Sequence, residues 1–226
     1  VGFRFFIESF VHTDWILPPL ASLVVAMVFG SPALIPFLTM RSLAEERRLG
    51  TLETLFAAPV STTAVVMGKW SASYMFFLII CVAAFGFPWI ATLLHREGTV
   101  NLHLLDEAQL MGCAAYLAAT GMAFTAIGLF ASAVTRNQMV AGMLCFTLLA
   151  LHVGIMAFSH GKTTPPSSTI EAETIIRQSM GSLLAGFDKL EHFVVGLIDV
   201  QTLIYYIITT GLFLGLAILA TERASD

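Results

Sequence analysis

Polar and charged positions fall in clusters along this chain. Between them lie five tracts without Asp, Glu, Lys or Arg, at residues 15–40, 70–94, 108–135, 137–159 and 200–221. None alternates like a barrel strand or carries the single apolar stripe of a surface helix, because each is apolar on every face. A helix rises 1.5 Å per residue, and about 20 apolar residues cross a hydrocarbon layer roughly 30 Å thick. Every tract is long enough. Backbone polar groups inside lipid must be satisfied within the segment or a closed barrel, so the tracts are predicted to be helices. The fold class is all-α: one polytopic transmembrane helical bundle with five spans, taking in residues 1–226.

Composition strengthens this pattern, with 57% hydrophobic and 12% charged residues and a net charge of −4. The absence of a basic stripe argues against a nucleic-acid partner and leaves the lipid bilayer as the expected surroundings. Lys and Arg in the short loops set the orientation. Arg41, Arg47, Arg48, Lys69, Arg136 and Arg223 lie on one side; Arg4, Arg96, Lys162, Arg177 and Lys189 lie on the other. Three of the second group belong to one long loop and carry less weight. The first side is therefore assigned to the cytoplasm, with the C-terminus. The aromatic-rich start, Val1 to Phe10, has no signal-peptide pattern and is expected along the outer interface.

Within the first tract, Pro18, Pro19, Pro32 and Pro36 each remove a backbone donor. Either the helix is broken and mobile there, or the first two prolines mark its start and the others bend it. The polar segment 41–64 follows. Gly50 suits a helix C′ position and Thr51 an N-cap, with Glu53 in the first turn, so two short helices are predicted to meet at Gly50. Leu52, Leu55 and Phe56 form an apolar face that ends before Pro59, and Ser61 can cap the next helix. A two-turn helix is unstable alone, so lipid, the bundle or a partner must cover that face. The mixed signs of Glu45, Glu46, Arg47 and Arg48 fit a protein partner better than an anionic lipid surface.

The third tract carries small residues at Gly112, Ala115, Ala119, Gly121, Ala123, Gly128 and Ser132, predicting close helix packing. Gly211 and Gly215 form a GxxxG pair, read as a local packing notch in preference to the alternative, a functional dimer motif. The outer loop, 160–199, is expected to hold two amphipathic helices around residues 171–184 and 187–199.

None of the 15 carboxylates lies within a span, which argues against a proton or sodium relay through buried acids. His152 is read as a hydrogen-bonded interhelical residue, and Cys81, Cys113 and Cys145 as buried thiols without metal-ligand spacing. Gly161-Lys162-Thr163 imitates a P-loop ending, but Met156 stands where its first glycine is required. No hydrolase elbow or His-Glu-x-x-His pair occurs, so neither a catalytic nor a metal site is expected.

The run Leu38-Thr-Met-Arg-Ser-Leu-Ala-Glu-Glu-Arg-Arg-Leu-Gly-Thr-Leu-Glu-Thr-Leu-Phe-Ala-Ala-Pro-Val-Ser61, followed by Met67-Gly-Lys-Trp70, resembles the signature of ABC type-2 exporter permeases. His192-Phe193, Gly196, Ile198-Asp199 and Tyr205-Tyr206 resemble the segment before that family's last span. The closest likeness is to gliding-motility and nitrous-oxide-reductase-maturation permeases. Members typically have six spans after an elbow helix, so the resemblance implies that this sequence lacks the first span. It also implies that the loop holding Glu45, Glu46, Arg47, Arg48, Gly50, Thr51, Leu52, Glu53, Leu55, Phe56 and Pro59 is a coupling helix docking on a separate cytoplasmic ABC ATPase subunit. ATP and magnesium would be bound there and no cofactor by this chain. A second permease, identical or related, would complete the unit in the bacterial inner membrane. The resulting expectation is an export permease without its own ATPase; a non-transporting anchor or force-transmitting subunit is the alternative.

Overall fold

The computed structural model describes residues 19–49, 61–94, 107–159, 193 and 199–223. Their helices are α1 (Pro19–Thr39), α2 (Ala44–Leu49), α3 (Thr62–Leu94), α4 (Glu107–Val134), α5 (Gln138–Ser159) and α6 (Val200–Glu222). The protein is an all-helical, polytopic membrane bundle. By length and composition, four described stretches can cross a membrane: Leu23–Leu49, Thr62–Phe87, Ala108–Val134 and Val200–Glu222. The fourth expected span coincides with α5, whose stretch Gln138–Gly154 is a shorter apolar helix.

α1 is continuous through Pro32 and Pro36, so the alternative of a broken helix does not hold. Pro32 has no N–H for the Val28 carbonyl, and the Ser31 hydroxyl donates to that carbonyl instead at 2.6 Å. A side chain one residue away thus repairs the gap that proline opens. Other boundaries have local causes that are visible in the sequence. Ser61 Oγ accepts from the Ala64 N–H at 3.3 Å and starts α3. Asn137 Oδ1 accepts from Met139 N at 3.0 Å and turns the chain from α4 into α5. Asp199 Oδ1 accepts from Gln201 N at 3.0 Å and caps α6.

α4 is the central helix, packed against α1, α3, α5 and α6. Its apolar window is 78% buried, against 17% for α3 and 22% for α6, which turn most of their surface outward. The small residues expected on α4 account for this position. A Cβ at Gly121 would lie 2.0 Å from the Phe77 ring of α3, and one at Gly128 would lie 2.4 Å from Thr39 Oγ1 of α1. Neighbouring side chains therefore occupy the notches that these glycines leave. By contrast, a Cβ at Gly211 or Gly215 would meet nothing within 4 Å. The packing-notch reading of that pair does not hold among the described residues, because both glycines sit off the face of α6 that meets α4.

That face consists of Thr202, Tyr206, Thr210, Leu214, Ala217 and Thr221, spaced three and four apart. Thr210 and Thr221 donate to the carbonyls of Tyr206 and Ala217 at 2.7 and 2.8 Å, so their hydroxyls are satisfied within apolar surroundings. Tyr206 Oη donates to Tyr116 Oη of α4 at 3.4 Å, and Phe193 lies 5.3 Å from the Tyr116 ring. His152 of α5 is interhelical, as expected, but through ring contacts: an edge-on contact with Phe124 and a stacked one with Tyr205. Its buried Nε2 has no hydrogen-bond partner among the described residues. Cys81, Cys113 and Cys145 are free and buried.

Candidate functional site

The C-terminal ends of α1, α4 and α6 meet the N-terminal ends of α3 and α5, and α2 lies across this junction. Arg41, Glu45, Arg48, Arg136, Glu222 and Arg223 are exposed here, so we term it the charged end. It contains the described part of the expected coupling segment. Of the eleven residues implied by the resemblance, Glu45, Glu46, Arg47 and Arg48 fall on α2. Gly50, Thr51, Leu52, Glu53, Leu55, Phe56 and Pro59 lie outside the described residues, as does the expected meeting of two helices at Gly50.

A six-residue helix cannot hold itself together in water, and α2 is held from outside. The amides of Leu43, the residue just before it, and of Ala44, its first residue, both donate to Ser132 Oγ of α4 at 3.0 Å. The same hydroxyl donates to the Met40 carbonyl at 3.3 Å. Ser132 therefore acts as an N-cap supplied by another helix, satisfying donors that α2 leaves open. Beneath it, Leu43 is fully buried among Val66, Ala126, Leu129, Leu214 and Ala217. Burial and capping work together, since the buried amides would otherwise lose their water partners without replacement.

The charged residues of α2 divide by direction. Arg47 Nη1 donates to the Ala133 carbonyl in the last turn of α4, and Nη2 reaches the Ala220 carbonyl in the last turn of α6 at 3.5 Å. Helix C-terminal carbonyls lack intrahelical donors and carry the negative end of the macrodipole, so a guanidinium fits both. Glu46 Oε1 accepts from Lys69 Nζ of α3 at 2.6 Å, and the same ammonium donates to the Ser42 carbonyl at 2.6 Å. Glu45, Arg48 and Leu49 face outward, with Leu49 67% exposed. The four contiguous charges thus split into two that bind the bundle and two that present themselves.

Sequence reasoning did not single out Ser132 as a cap or Lys69 as the partner of Glu46. Ser132 was visible only as the last small residue of a packing stripe. Lys69 stood in the Met67-Gly-Lys-Trp70 run, whose tryptophan also packs inward: Trp70 Nε1 donates to the Met122 carbonyl of α4 at 3.3 Å.

Between them, α1 and α5 leave an apolar groove of about 520 Å³ lined by Pro36, Phe37 and Met40 on one side and Met139, Met143 and Phe146 on the other. A second cavity of about 270 Å³ shares Ala33 and Phe146 with it and extends toward Gly154. Neither presents an ionisable side chain, so they offer shape and apolar surface without acid–base chemistry. Among the described residues no cluster of three or more His, Cys, Asp or Glu is positioned to hold a metal ion.

A family model described as ABC-2 family transporter protein matches residues 7–224. No curated protein matches the chain.

Proposed function

The chain belongs to the ABC-2 transporter family over almost its whole length, and from that premise we propose that it is the permease subunit of an ATP-binding-cassette exporter. A separate ATPase subunit docks on the charged end, and hydrolysis there drives a change in helix packing that moves cargo outward across the bacterial inner membrane. The charged end and the C-terminus face the cytoplasm in this reading. ATP and magnesium are held by the ATPase, while this chain supplies shape and bistable packing. A second permease copy or relative completes the unit. The run Thr39-Met-Arg41 to Ser61 supports membership in the branch of gliding-motility and nitrous-oxide-reductase-maturation permeases.

The observation that supports the reading best is the orientation of α2: its inner face is bonded to three helices, while Glu45, Arg48 and Leu49 project outward. A short helix anchored this firmly and still presenting a mixed polar and apolar surface suits a protein contact. Replacing Leu49, Leu55 and Phe56 with Asp is expected to release the ATPase subunit from membranes while the permease still inserts. Undiminished co-purification of the two subunits, or labelling of a cysteine at position 48 from the outer side, would overturn the proposal.

A further inference from the structure

We infer that Arg47 is a positioning residue that makes α2 and the charged ends of α4 and α6 move as one unit, so that displacement of α2 is delivered to those two helices. The inference rests on the proposed docking of an ATPase at α2 and assigns the route by which its motion enters the bundle.

Three observations carry it. The Arg47 side chain bonds to two different spanning helices, through Ala133 of α4 and Ala220 of α6. Both acceptors sit in last turns, where carbonyls have no helical donor, so moving the guanidinium away would leave them without that partner in a part-buried setting. Ser132, one residue before Ala133, holds the opposite end of α2 through the Leu43 and Ala44 amides. α2 is therefore gripped at both ends by the final turns of α4, and through Arg47 it also grips α6. A rigid element bonded at two points cannot translate without carrying its partners or breaking those bonds. The α4–α6 seam, with its continuous buried face, extends the unit along the bundle.

The planar guanidinium has two donor edges for two carbonyls, whereas a lysine ammonium is a single point on a flexible stem. The test uses the complete permease–ATPase complex in nanodiscs, with spin labels at Arg48 and Leu219 or at Met143 and Leu219, all exposed positions. On trapping with ATP and vanadate, the Arg48–Leu219 distance is expected to stay constant while the Met143–Leu219 distance shifts. In Arg47→Gln the first distance should become nucleotide-dependent and the second shift should disappear. If Arg47→Gln does not accumulate, Arg47→Lys keeps the charge and is expected to reproduce the loss in part. Wild-type behaviour of the variant, a nucleotide-dependent Arg48–Leu219 distance in the wild type, or no Met143–Leu219 shift in the wild type would each overturn the inference. Failure of the wild-type chain to bind the ATPase would instead overturn the docking proposal, which separates the two.

Discussion

The seam between α4 and α6 and the seam between α1 and α5 are built on opposite principles. Along α4 and α6, small and hydroxyl-bearing residues bring the helices together, Thr210 and Thr221 satisfy themselves on the backbone of their own helix, and Tyr116 and Tyr206 join across the contact. Along α1 and α5, the inner edge closes through Cys145, Leu149 and Val153, but the outer edge leaves an apolar groove of about 520 Å³ lined by proline, methionine and phenylalanine. A bundle in lipid gains little from apolar burial as such, so packing quality decides which helices stay together. The difference separates the molecule into a tightly joined side, to which α2 is bonded, and a side where repacking meets less resistance.

The largest effect is expected from breaking the tight seam at its bulkiest buried residue. Tyr206→Ala would remove a fully buried ring and leave the Tyr116 hydroxyl without its partner on α6. Large-to-small changes of aromatic residues cost about 3–5 kcal/mol, so unfolding in mixed micelles should occur at markedly lower denaturant. Retention of wild-type stability would show that the seam is not what holds α6. The next effect comes from overfilling a notch. Gly121→Val places new atoms where the Phe77 ring lies, and overpacking costs about 1–3 kcal/mol in the same assay. The smallest effect should come from the open side. Met143→Ala, at a groove residue 67% exposed, is expected to change stability by less than about 0.5 kcal/mol. A loss comparable to that of Tyr206→Ala would erase the contrast between the seams.

The limits of sequence reading can be seen in particular residues. Ser61, Asn137 and Asp199 mark helix starts through bonds to amides two or three positions away, and such short-range chemistry can be read directly. Pro32 was legible as a missing donor, but its remedy by the neighbouring Ser31 hydroxyl was not, because serine in a helix has several bonding options. Gly121 and Gly211 look alike as small residues in apolar runs. One receives a phenylalanine ring and the other meets nothing among the described residues, since the helix face decides and each run is apolar on every face. For α2 the charges themselves were legible as a candidate contact. Their division into inward Glu46 and Arg47 and outward Glu45 and Arg48 was not.

Long runs of apolar residues determined on their own that this chain forms helices in a membrane, because in lipid a backbone must satisfy its own polar groups, and that requirement is local. The anchoring of α2 was decided only by tertiary structure. Its partners, Ser132, Ala133 and Ala220, stand between 86 and 173 positions away along the chain, and their unpaired groups converge only once the helix ends come together.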